Sequence, residues 1–172
     1  MSIRVKMLGA MIVILGCGGF GWHLAAAYRR EERILRQLMA ALDYMGCELQ
    51  YRMTPLPELC RQAAAQHNGC LGETLKLLSQ ELESQISPDV ERCMSAALAG
   101  SPGIPAKARE ILQHLGGSMG RFDLPGQLRG LEAARQECRR NLEDLAENRD
   151  NRLRNFQTLG LCAGAALAIL FL

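Results

Sequence analysis

The sequence predicts an all-α protein: a six-helix bundle flanked by N- and C-terminal transmembrane helices. Three observations carry that reading. The chain is apolar at both ends, over residues 7–27 and 158–172, and polar-patterned between them. In the middle, Leu, Ile and Met recur at spacings of three and four, the period of one helix face. No stretch alternates apolar and polar residues as a half-buried strand does.

A helix rises about 1.5 Å per residue, so about 20 apolar residues cross a hydrocarbon core of roughly 30 Å. Residues 7–27 meet that length. They include Gly9, Gly16, Gly18, Gly19 and Gly21, which membrane helices tolerate, and end near Trp22 and Tyr28, which suit the headgroup interface. A cleaved signal peptide is the competing reading, with Arg4 and Lys6 as its basic start. Against it stand the length of the run and the cluster Arg29, Arg30, Arg33 and Arg36 just past it, which opposes translocation.

Residues 158–172 are shorter and uncharged, with small residues four apart at Gly160 and Gly164 that allow close helix approach. A buried core helix is the alternative there, but such a helix keeps a polar side. Arg149, Arg152 and Arg154 precede this run, so the basic residues flank the middle and favour its cytoplasmic placement. The expected organisation is a transmembrane helix with a short basic start over 1–28, a cytoplasmic six-helix domain over 29–157, and a short transmembrane helix over 158–172.

Within the middle, Ile34, Leu35, Leu38, Leu42, Met45 and Leu49 predict a first helix to about residue 51, continuous with the membrane segment. Thr54 is the expected N-cap of a second helix, with Pro55 at its first position and Glu58 complementing its dipole. His67, Asn68 and Gly69 end it. A third helix over about 71–84 presents Leu71, Leu75, Leu78 and Leu82 on one face. A fourth is expected from Ser87 as N-cap and Pro88 at the first position, with Val90, Cys93, Met94, Ala97 and Leu98 inward. A loop at 100–103 leads to a fifth over about 105–117, burying Ala108, Ile111, Leu112 and Leu115. The stretch Gly116-Gly117-Ser118-Met119-Gly120 is expected to cap it in a tight turn. Asp123 then caps a long sixth helix with the stripe Leu128, Leu131, Cys138, Leu142 and Leu145.

Composition excludes several functions. All 18 Asp and Glu lie in the middle, and only Arg4 and Lys6 of the 20 Lys and Arg lie outside it. The middle is therefore formally neutral, without the basic stripe of a nucleic-acid binder. The seven Cys are scattered, with no C-x-x-C pair, and His67 and Cys70 are the nearest approach to metal-ligand spacing. They read as reduced, small apolar residues, and no metal or cofactor is expected. There is no G-x-S-x-G, H-E-x-x-H or P-loop signature; the glycine-rich 116–120 stretch has no lysine and no preceding strand. No catalytic residue is assigned and no enzyme is expected. Arg outnumbers Lys, since only Lys6, Lys76 and Lys107 are lysines. That suits partner interfaces, although a high genomic GC content accounts for it equally well.

Three segments taken together resemble the stage III sporulation protein AB family of endospore-forming bacteria. They are Arg33-x-x-x-Gln37-Leu38; Tyr51-Arg52-Met53-Thr54-Pro55-Leu56-Pro57-Glu58-Leu59; and Leu115-Gly116-x-x-x-Gly120-x-x-Asp123-x-x-x-Gln127-x-x-x-Leu131. The resemblance covers essentially the whole chain. It implies a domain similar to the cytoplasmic domain of the F-type platform protein of type II secretion and type IV pilus machines. It further implies residence in the mother-cell membrane around the forespore, a secretion-type cytoplasmic ATPase and other channel proteins of the same operon as partners, and assembly of a secretion-like channel without hydrolysis by this chain. Homo-oligomerisation is left open. The two corners, formed by Thr54, Pro55, Leu56, Pro57 and Glu58 and by Gly116, Gly120, Asp123 and Gln127, are expected either to hold the bundle or to present the docking surface. The competing functions are a membrane-anchored helical adaptor unrelated to sporulation, a small membrane enzyme and an exported helical protein.

Overall fold

The computed structural model describes side chains over residues 26–84, 89–119 and 123–148, and helical backbone beyond them at both ends. Among the described residues six helices follow one another: α1 (Ser2–Arg52), α2 (Leu56–Gln66), α3 (Cys70–Ser84), α4 (Val90–Ala99), α5 (Ala106–Ser118) and α6 (Leu124–Phe171). Among the described residues there is no strand. The first and last helices of the bundle run unbroken into the apolar ends, as their uninterrupted pattern predicts. Among the described residues no helix is long and apolar enough to cross a membrane. The apolar runs expected to do so lie outside the residues whose side chains are described, except for Ala26 and Ala27.

Helices α1, α3, α4 and α5 bury the faces their spacing predicts, and α6 buries most of its stripe. On α1, Ile34, Leu35, Leu38, Ala41, Leu42, Met45 and Leu49 are buried. They meet Leu131, Ala134, Cys138 and Leu145 of α6, while Leu128 and Leu142 pack at the margin of the core. The α2–α3 and α4–α5 hairpins close the other sides with Leu59, Leu71, Leu75, Leu78, Met94, Leu98, Ile111 and Leu112. Each such side chain stabilises the fold by roughly 1.5–3 kcal/mol relative to exposure. Three cysteines, Cys60, Cys93 and Cys138, are buried and free. Burial pushes the Cys60 and Cys138 thiols up to about 12, so they remain protonated and pack as small apolar groups.

Several helix ends differ from expectation. Pro55, not Thr54, occupies the cap position of α2, with no side-chain bond, and the Leu59 N–H reaches the Pro55 carbonyl at 2.9 Å. Thr54 instead donates to Glu48 Oε2 at 3.4 Å. The α1 helix stops because Met53 turns to φ 51°, which leaves Thr54 too early in the chain to cap α2. Helix α4 begins at Val90 with Asp89 as its cap, the carboxylate accepting from the Glu91 N–H at 3.2 Å. A carboxylate directly before the helix displaces Ser87 from the capping role; Ser87 and Pro88 themselves lie outside the described residues. Helix α5 ends within the expected 116–120 stretch, at the extended, buried Met119, with Gly116 and Gly117 still inside the helix.

Cross-helix contacts fix how the elements run. Ser118 lies against Gly130, and His114 Nδ1 lies 3.7 Å from Glu137 Oε2, so α5 and α6 are antiparallel. Arg135 Nη1 donates to Asp43 Oδ1 at 2.9 Å. Arg30 Nη2 donates to the Gly103 carbonyl at 3.1 Å, just before α5 begins. Residue 30 is therefore level with the head of α5, and residue 43 with a point further toward its tail. Helix α1 thus runs beside α5 and against α6. Tyr51 lies about eight residues, roughly 12 Å, beyond Asp43, and Gln127 lies equally far back from Arg135. The α1–α2 and α5–α6 corners consequently share one end of the bundle. The α2–α3 and α4–α5 turns share the other, where Gly103 also approaches Cys70.

Candidate docking surface at two helix corners

The α1–α2 corner is built by a left-handed residue followed by a proline pair. An L-residue in that conformation crowds its Cβ against the following carbonyl, a cost of roughly 1–2 kcal/mol. Met53 adopts it and points outward, 71% exposed, and Tyr51 one turn-step earlier is 80% exposed. Pro55 (φ −57°) and Pro57 need no N–H at the start of α2. Leu56 packs half-buried on the core and Leu59 is fully buried.

Glu58 sits in the first turn of α2, where the helix dipole favours a carboxylate. It accepts from Gln62 Nε2 at 2.8 Å and pairs with Arg61, while Gln62 Oε1 accepts from the Tyr44 hydroxyl at 2.8 Å. Arg61 reaches on to Glu83 of α3 at 3.4 Å. This chain of polar contacts ties α1, α2 and α3 beneath the corner. Leu56, Pro57 and Glu58 are half-buried at this corner, while Pro55, Tyr51 and Met53 are exposed.

At the α5–α6 corner the Ser118 hydroxyl donates back to the Leu115 carbonyl at 2.9 Å, and Met119 is buried. Gly116 seats α5 on α4: a Cβ there would lie 2.8 Å from Met94 Cβ. Gly130 does the same for α6 on α5, where a Cβ would lie 2.9 Å from Ser118 Cβ. Gly120 lies outside the described residues. Asp123 caps α6 as expected, with Oδ1 accepting from the Gly126 N–H at 3.3 Å and its carbonyl from the Gln127 N–H at 3.0 Å. Asp123 is exposed and Gln127 half-buried.

The fold therefore brings the two predicted corners to one end of the bundle, with Gly116 buried, Leu56, Pro57, Glu58 and Gln127 half-buried, and Pro55 and Asp123 exposed. Tyr51 and Met53 are the surface residues that the sequence reading missed. A signal existed for Tyr51: it falls off the stripe that ends at Leu49. Met53 keeps the stripe's spacing and becomes exposed only because the helix breaks there.

Among the described residues no three His, Cys, Asp or Glu are placed to hold a metal ion. A groove of about 490 Å³ lies between α2 and α3, lined by charges of both signs that include Arg61, Glu73, Lys76 and Glu83. Beside it, burial lowers the His67 pKa. Arg61 is already paired across the groove to Glu83, so no single-sign cradle for a ligand is formed.

Comparison with known proteins agrees with this architecture. A solved structure of stage III sporulation protein AB superposes with a TM-score of 0.63 at 22% identity, covering 71% of this chain and 98% of that one. The stage III sporulation protein AB of Bacillus subtilis (strain 168) is 23% identical over 174 residues, 98% of this chain and 99% of its own length. The family model for stage III sporulation protein AB matches residues 6–172. With its six-helix order and a family match that runs nearly end to end, the chain belongs to the stage III sporulation protein AB family.

Proposed function

We propose that this chain serves sporulation as a non-enzymatic, membrane-anchored platform, with the end of the bundle formed by the α1–α2 and α5–α6 corners docking a secretion-type cytoplasmic ATPase. Both apolar runs anchor it in the mother-cell membrane around the forespore, the bundle facing the cytoplasm. Other channel proteins of the same operon assemble around it.

The observation that carries the docking end is the exposure of Tyr51 and Met53. Tyr is enriched at interface hot spots and Met at protein interfaces generally. These two side chains are the exposed large hydrophobics among the described residues. They lie at the end of the bundle opposite the apolar runs, where a cytoplasmic partner has access. Family membership speaks for a sporulation role over a helical adaptor unrelated to sporulation.

Co-purification from sporulating cells tests the proposal. The full-length chain is expected to retain the ATPase, and Tyr51→Ala with Met53→Ser to lose it while the melting temperature holds. Equal retention by both chains would defeat the docking assignment. Labelling of Cys70 from outside intact membranes would defeat the orientation.

A further inference from the structure

We propose that the other end of the bundle, formed by the α2–α3 and α4–α5 turns, rests directly on the phospholipid headgroup layer. The inference rests on the membrane anchoring proposed above and adds a second contact surface to it.

The geometry centres on Gly103. Its carbonyl accepts from Arg30 Nη2 at 3.1 Å. A Cβ at this position would lie 3.2 Å from Arg30 Nη2 and 3.2 Å from Cys70 Cβ. The loop before α5 therefore packs at Gly103 against both the head of α3 and one arginine of α1. Cys70 follows the α2–α3 turn at 67–69, and Gly103 lies in the α4–α5 loop.

Arg30 stands only a short way above the apolar run on a continuous helix. From Ala27, the last apolar residue, to Arg30 is roughly 4.5 Å of rise, and from Trp22, the first interfacial aromatic, roughly 12 Å. The polar layer outside a hydrocarbon core is about 5–7 Å deep on each side. Both boundaries bring the turns to the headgroups or within an arginine's length of them.

The chemistry of this end matches a wet, anionic surface and not a protein partner. Arg29 and Arg33 project exposed on either side of Arg30, and the turns expose Asn68, Gly69 and Pro102. The exposed Tyr51 and Met53 belong to the other end. Exposed cations beside a span are attracted to anionic headgroups, and small polar turns accept hydration there without loss.

Photocrosslinking of the full-length chain in vesicles of phosphatidylethanolamine and phosphatidylglycerol tests this. p-Benzoylphenylalanine replaces Asn68, Pro102, Met53 or Phe20 in turn, and lipid adducts are read by mass spectrometry. Asn68 and Pro102 are exposed turn positions, so the substitutions leave the core intact, and circular dichroism checks the fold. The expected result is strong adduct formation at Phe20, adducts at 68 and 102 several-fold above those at 53, and little at 53. Adducts at Phe20 with only background at 68 and 102 would overturn headgroup contact while leaving the anchor in place. Absence of adducts at Phe20 as well would overturn the anchor and this proposal together.

Discussion

Arg135 of α6 bridges to Asp43 of α1 at 2.9 Å while its second Nη holds Glu132 one turn back at 3.1 Å. Both acidic partners push the guanidinium's pKa still higher, the hydrogen bond to Asp43 most of all. The bridge marks the register of the two long helices, which their buried apolar faces set, and with it the placement of both corners at one end. The Asp43→Arg variant sets two guanidiniums side by side and is expected to lower the melting temperature. Combining it with Arg135→Asp is expected to recover part of the loss, and the recovery should shrink in 1 M salt, where the screening length is about 3 Å. Strictly additive losses would place the two residues apart.

Gly116→Ala is expected to destabilise the fold by about 1–3 kcal/mol, because the new methyl meets Met94 Cβ at 2.8 Å across α4–α5. Gly46→Ala supplies the contrast. Nothing lies within 4 Å of a Cβ there, and removing a glycine from a helix interior stabilises it by roughly 0.5–1 kcal/mol. Urea denaturation of the two variants should move the midpoint in opposite directions.

Met53→Gly separates stability from docking. Relief of the left-handed backbone at φ 51° is expected to raise stability by about 0.5–1 kcal/mol, less than the full strain because glycine also loses more entropy on folding. Removal of the exposed side chain is expected to weaken ATPase retention. A chain that became more stable and bound as well as before would show that Met53 makes no contact with the partner.

Asp123→Ala removes the α6 cap and is expected to cost about 0.5–2 kcal/mol in thermal or chemical melting. Asp123→Asn, which still accepts the Gly126 N–H, should cost little. If Asp123→Ala abolished ATPase binding with almost no change in melting, Asp123 would belong to the docking surface. Parallel loss of binding and stability would assign it to support.

The buried thiols predict a pH dependence. Cys60 and Cys138 are held near 12 in the folded chain against an ordinary 9.0. Above pH 9 the unfolded chain releases these protons while the folded chain keeps them, so stability falls as pH rises from about 9 toward 12. Well below pH 9, where both states keep these protons, the two thiols contribute no slope. A chain with Cys60→Ala and Cys138→Ala should lose less stability over that interval. At pH 8, alkylation should reach the exposed Cys47 well before Cys60 or Cys138.

The sequence by itself determined the helix count, their order and most of the inward faces. Leu35, Leu38 and Leu42, like Ile111, Leu112 and Leu115, recur with the helical period, and burying them decides local structure without reference to anything distant. It also determined the Asp123 cap, because an N-cap acts on N–H groups only two or three residues away. The tertiary structure decided what depends on neighbours remote in the chain. The period of α5 cannot reveal that Gly116 meets Met94, since that requires knowing which helix lies opposite. Thr54 and Ser87 have the chemistry of caps, yet where α1 breaks and where α4 starts moved that role to Pro55 and Asp89. Most consequentially, the directions in which the helices pack, marked by the Asp43–Arg135 and Arg30–Gly103 contacts, sort the corners into two ends. One exposes Tyr51 and Met53, and the other lies beside the apolar run of α1. The paired ends are set by the direction in which helices pack, a property that no single segment of sequence contains.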